Sequence, residues 1–149
     1  MRRLGLALIL LAAAPSRPSG AADAEKVTYL PAAQVRAAFA KGMPLLEVEG
    51  YKVHASRREG PGQAEVHLLD TDIVYVLEGT ATVVTGGRVL GPHEIAPQEV
   101  RGSGIDGGAS VELAPGDVLV IPDGLPHWFR DVRGPLLYYV VKVTRPEGK

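Results

Sequence analysis

From residue 44 onward the chain alternates short apolar runs with turn-forming residues. Runs at 44–48, 51–57, 64–69, 73–77, 80–85, 88–90, 110–113, 117–121, 127–131 and 136–143 read as strands. Gly60-Pro61-Gly62, Gly86-Gly87, Gly107-Gly108, Pro115-Gly116 and Gly134-Pro135 supply turns between them. Short strands at this spacing predict an all-β sandwich or barrel. Leu136-Leu137-Tyr138-Tyr139-Val140-Val141 is apolar at every position, which predicts burial on both faces by a second sheet or a second copy of the chain. Between Leu90 and Ser110 the pattern lapses into GPHEIAPQEVRGSGIDGGA. A long loop is expected there, ordered by a short strand at Glu99-Val100-Arg101.

One stretch, Leu30 to Gly42, carries a helical period. Val35, Ala38 and Phe39 share a face, so this helix is expected to lie against a sheet. Pro31 suits its first turn and Gly42 its end. The start of the chain has a different character. MRRLGLALILLAAA pairs a basic beginning with an apolar run too short to span a bilayer comfortably, and Ala22-Asp23-Ala24 follows with small residues. This predicts a secretory signal peptide cleaved near Ala24, an exported chain (periplasmic or extracellular), and no membrane partner after cleavage. An uncleaved anchor is the alternative. The expected organisation is signal 1–24, helical segment 25–43 and barrel 44–149.

Composition narrows the partners. The 149 residues suit one domain, and 18 Gly with 12 Pro favour short strands over a helical bundle. A formal net charge of −1 with no long basic run argues against nucleic acid. The chain has no cysteine, which excludes disulfides and thiolate metal sites and leaves His and carboxylates as the strong ligands.

Two segments hold those ligands. Glu65 and His67 are two apart and share one face of a strand. A turn at Leu69-Asp70-Thr71 would return Asp72 beside them. Downstream, in GDVLVIPDGLPHWFRD (116–131), an apolar strand ends at Pro122 and His127 opens the next one. Taken alone, Glu-x-His reads as a solvated strand face as readily as a ligand pair. His127 alone reads equally as a core histidine bonded to a backbone carbonyl.

Together the segments resemble the two motifs of the cupin superfamily of jelly-roll β-barrels, in its single-domain "cupin 2" form. The first family motif is G-x5-H-x-H-x3,4-E-x6-G, and this chain reads Glu65-x-His67-x4-Asp72-x6-Gly79. The second is G-x5-P-x-G-x2-H-x3-N, read here as Gly116-x5-Pro122-x-Gly124-x2-His127-x3-Asp131. Glu65 stands in place of His, Asp72 in place of Glu, and Asp131 in place of Asn; the leading Gly of the first motif is out of place. The resemblance spans residues 50–143.

It implies an all-β cupin barrel with one N-terminal helix, in which Glu65, His67, Asp72 and His127 converge on one divalent metal ion. Asp72 would be a fourth ligand or would orient a ligating histidine. Two imidazoles with carboxylates suit Fe, Mn, Zn or Ni, and the choice stays open. Open coordination positions would serve a metal-dependent dioxygenase or isomerase acting on a small organic molecule. A non-catalytic module that captures a small ligand or the metal is the alternative, because this fold does not specify a reaction. A homodimer, paired through an edge strand or the apolar 136–141 strand, is also expected.

Four further positions bear on the cavity. His54 reads as a surface or hydrogen-bonded histidine before it reads as a further cavity nitrogen, and His93 as a solvated loop residue. Of the adjacent Arg57 and Arg58, one must point inward, although barrel-surface charge is the simpler reading. Phe129 shares the face of His127 and is placed to line the cavity, whereas Trp128, Tyr138 and Tyr139 read as sheet packing.

Overall fold

The computed structural model describes residues 26–146, so the expected signal segment 1–24 lies outside the described residues. Helix α1 (Ala32–Lys41) comes first, followed by β1 (Met43–Val48), β2 (Tyr51–Arg58), β3 (Ala64–His67) and the long β4 (Asp70–Thr85). Next come the short β5 (Arg88–Leu90), β6 (His93–Ala96), β7 (Glu99–Gly102) and β8 (Gly104–Asp106). β9 (Ala109–Leu113), β10 (Val118–Ile121) and the 18-residue β11 (His127–Thr144) complete the chain. Every ladder is antiparallel.

β11 is the axis of the fold. Its C-terminal half lies between β2 and the first half of β4, and its N-terminal half runs along the second half of β4 and meets β3. β1 extends the sheet beyond β2, β7 and β6 extend it beyond β3, and β9 and β10 pair with β4. A sheet twisted and folded over on shared long strands encloses an interior, as the predicted barrel requires. Alternation then sorts the side chains. Val74, Val76, Ala81, Val83, Leu136, Tyr138 and Val140 form the buried inner cluster with Leu113 and Phe129. Each fully buried aliphatic side chain there contributes roughly 1.5–3 kcal/mol.

The break expected between strands 73–77 and 80–85 and the turn expected at Gly134-Pro135 both fall within continuous strands. Gly79 does not end a strand. It sits inside β4 at φ 76°, where a Cβ would meet Pro135 O at 2.5 Å. Gly134-Pro135 lies opposite, inside β11, where the register shifts between Arg133 and Leu137. The pair bends both strands together, which lets each serve two walls. The stretch between Leu90 and Ser110 holds the expected strand at Glu99–Gly102, and in addition β6 and β8. All four β6 residues, Ile95 and Ala96 included, are exposed, so no buried alternation marks that strand.

The helix forms as expected, with Pro31 as its N-cap and Gly42 in left-handed conformation at its C-cap. Ala38 and Phe39 are buried against Ala55, flanked by Leu137 and Tyr139. The Phe39 and Tyr139 rings meet edge-on at 4.9 Å. The outer face of the Leu136–Val141 segment is therefore partly covered within the chain, by α1.

Candidate metal centre in the barrel interior

Strand register assembles the site. His127 is directly opposite Glu65, Glu65 is opposite Arg101, and His67 is opposite Glu99. Directly opposed residues project to the same face, so these side chains meet inside the barrel. The two motif segments are also tied through their backbones: Gly124 N–H donates to His67 O at 2.7 Å. Gly124 has φ 74°, so glycine is the residue that permits this approach.

Glu65, His67 and His127 each present a ligand atom within 4.8 Å of the others. His67 Nε2 stands 3.6 Å from Glu65 Oε2, and His127 Nε2 stands 4.0 Å from it. Both imidazoles are fixed from behind. His67 Nδ1 donates to Glu99 at 2.7 Å and His127 Nδ1 donates to Leu125 O at 3.2 Å, which leaves the Nε2 lone pairs facing the interior. Among the described residues, His67 Nε2 is the buried side-chain polar atom left without a hydrogen-bond partner. A buried nitrogen in that condition is costly unless something binds it.

The donor set fits a divalent ion. Nitrogen and oxygen ligands about 2.0–2.2 Å from an ion stand about 3–4 Å from one another, and the separations above agree. Asp72 is at the edge of the group. Its Oδ2 lies 3.5 Å from His67 Nε2, but Lys142 Nζ, opposite it on β11, donates to both of its oxygens at 2.7 and 2.8 Å.

Cations surround the carboxylates. Arg58 donates to Glu65 Oε1 and to the Tyr138 hydroxyl, both at 2.9 Å, and its guanidinium lies 4.4 Å over the Phe129 ring. Arg58 is thus the inward arginine, in contrast to the surface-charge reading, and Arg57 pairs outward with Glu59. Burial pushes the Glu65 carboxyl up, but Arg58 and then Arg101 outweigh that and hold it below the usual carboxylate range. Burial pushes the His127 imidazole down, only partly countered by Glu65, so it is neutral at pH 7.

The cavity between these groups measures about 150 Å³, and His54, Lys142 and Phe129 also line it. His54 is both a cavity residue and a hydrogen-bonded one, with Nε2 2.9 Å from Glu47 Oε1. His93 is exposed on β6 and is not one of the grouped ligand residues. Sequence reasoning missed the functional placing of Glu99, Arg101 and Lys142. Their spacing carried a signal: Glu99 and Arg101 are two apart on one strand, and Lys142 shares parity with the inward Tyr138 and Val140.

A small antiparallel barrel with two histidines and a carboxylate converging inside defines a class of β-barrel with an interior metal-type site. The chain belongs to the Cupin family, which its sequence matches over residues 19–149. No curated protein matches it. Among solved structures, BH2720 from Bacillus halodurans has a TM-score of 0.57 at 16% identity, over 84% of this chain and 87% of that one. The hydroquinone 1,2-dioxygenase PnpCD, solved in complex with Cd2+ and 4-hydroxybenzonitrile, has a TM-score of 0.52 at 16% identity. That match covers 72% of this chain and 65% of the dioxygenase chain. At these identities the likeness is one of fold.

Proposed function

We propose that this cupin binds one divalent metal ion through Glu65, His67 and His127 and acts on a small organic molecule as a mononuclear-metal dioxygenase or isomerase. The observation that carries this reading is the buried, unpartnered His67 Nε2, facing Glu65 and beside a second imidazole held in the same tautomer. When bound, such an ion supplies Lewis acidity or a site for oxygen chemistry. The protein's own part is to exclude water and fix the ligands. His54, paired with Glu47, lies on the cavity wall, where its imidazole can hold a proton for a reacting group. Elemental analysis after reconstitution tests the proposal. About one equivalent of metal is expected, and less than about a tenth of an equivalent would refute it.

A second reading is a non-catalytic module for a small ligand or the metal. It is favoured by the pairing of Glu65, Asp72 and Glu99 with cations, which leaves these carboxylates poorly suited as free bases. Nitric oxide binding to the Fe(II) form separates the two, since open coordination positions serve catalysis and a saturated site serves capture.

We place the protein in the exported compartment on the strength of its N-terminal pattern, and N-terminal sequencing of the mature form tests this. We also propose a homodimer. Ile73, Tyr75, Val118 and Val120 leave an apolar outer face on β4 and on β10, which pairs with β4 alone. Sedimentation equilibrium tests the dimer, and a monomer at micromolar concentration would remove it.

A further inference from the structure

Four carboxylates surround the two imidazoles or flank them, and their hydrogen bonds divide them unequally. Both oxygens of Asp72 accept from Lys142 Nζ, at 2.7 and 2.8 Å. Asp70 accepts from Thr144 on one oxygen and from Lys52 on the other. Both Glu99 oxygens face His67 Nδ1. Among the described residues, Glu65 is the member of this set that is hydrogen-bonded through a single oxygen. Arg58 donates to Oε1, and Oε2 is left turned toward His67 Nε2 at 3.6 Å and His127 Nε2 at 4.0 Å.

Distance to His67 does not by itself separate Glu65 from Asp72. Asp72 Oδ2 stands 3.5 Å from His67 Nε2, and Glu65 Oε2 stands 3.6 Å from it. The partner is what differs. Lys142 lies directly opposite Asp72 on β11, with only 14% of its side chain exposed. With its carboxylate drawn to that ammonium, Asp72 falls outside the set of ligand atoms that lie within 4.8 Å of one another. Were Asp72 to turn to an ion, Lys142 would have no other carboxylate to receive it, because Asp70 already accepts from Lys52 and Thr144. A buried ammonium would then stand uncompensated beside a doubly charged ion, which is costly.

We propose that Lys142 is a positioning residue that withholds Asp72 from the ion, so that the site keeps three protein ligands and Glu65 joins through Oε2 alone. The inference rests on the metal reading of this site. Three ligands leave the open positions that a catalytic ion needs. A fourth, carboxylate ligand would fill one of them and add negative charge that holds the ion more tightly. Lys142 thus sets the number of ligands without touching the ion, and Asp72 serves as its counter-charge.

The test is the visible spectrum and affinity of Co(II) in the full chain and in variants of this one pair. Lys142→Met keeps an apolar stem and loses the charge. It is expected to bind Co(II) about tenfold more tightly, with shifted visible bands, because the freed Asp72 joins the ion. Lys142→Met/Asp72→Asn removes both members of the pair, and its bands are expected to return to those of the wild type. A merely structural role for Lys142 would lower Co(II) affinity and give no band shift that Asp72→Asn reverses. Wild-type bands in Lys142→Met, or altered bands in the double variant, would overturn the proposal and leave the metal reading standing. If Lys142→Met does not fold, the double variant decides alone, since an Asp72 that ligates in the wild type would show there as altered bands. Absence of stoichiometric Co(II) uptake by the wild-type chain would overturn the metal reading itself, and this inference with it.

Discussion

His67 and Glu99 face each other across the β3–β7 ladder, and the Glu99 carboxylate oxygens lie 2.7 and 2.8 Å from His67 Nδ1. That contact decides which nitrogen of His67 carries its proton and turns the other toward Glu65. Supports of this kind tune a metal ligand without touching the metal. Glu99→Gln keeps an acceptor oxygen but loses the charge. It is expected to weaken metal affinity by about 10- to 100-fold, with the far-UV spectrum unchanged. Competition against a chromophoric chelator measures the change, and wild-type affinity in the variant would show that Glu99 is a bystander.

His127 and His93 separate cleanly. His127 is buried at the opening of β11 with Nε2 facing the cavity, whereas His93 is exposed on β6. His127→Ala is expected to abolish stoichiometric metal uptake and His93→Ala to leave it intact. Loss of metal in the His93 variant would place the site elsewhere.

Packing between the helix and the barrel is expected to matter for stability and not for the site. Phe39 is buried against Ala55 and Tyr139 on the outer face of the sheet. Phe39→Ala is expected to cost about 3–5 kcal/mol, the usual range for emptying an aromatic site. Urea denaturation gives the loss, and metal stoichiometry at low urea should stay at the wild-type value.

The metal-free protein should lose stability as the solution is acidified from neutrality. Burial holds the His127 pKa below its ordinary value of about 6.5, so as pH falls the unfolded chain takes up that proton first. Stability therefore falls as pH drops through that window, and above it the contribution is fully present. Glu65, held below the usual carboxylate range, adds a second loss below about pH 4.5. Denaturation midpoints for wild type and His127→Gln, taken from pH about 7 to about 5, check the first step. The variant should show the flatter profile, and identical slopes would assign the effect to another group.

Much of this barrel is visible in the sequence because strand alternation and metal-ligand spacing are local patterns. Glu65, His67 and the Pro122-Asp123-Gly124-Leu125-Pro126-His127 segment declare themselves within a few residues. Gly79 and Gly134-Pro135 mislead for the same reason: a glycine that ends a strand and one that bulges it look alike until the opposite strand is known. β6 is hidden because a ladder held by backbone hydrogen bonds alone needs no buried apolar residue. Arg58, Lys142 and Glu99 acquire their roles only through partners 7, 70 and 32 residues away. A cation inside a barrel is unreadable until its carboxylate is placed.

Because β11 carries His127 and also closes the walls formed by β2, β3 and β4, the site has an order of assembly. Glu65 and His67 leave the ribosome some sixty residues before His127, and alone they are two side chains on a short strand with no opposite wall. On the proposed metal reading, ion capture would wait until the C-terminal strand has docked, so the growing chain would offer no finished trap for whatever metal is abundant where it is made. The compartment in which the last strand closes would then set which ion the site meets.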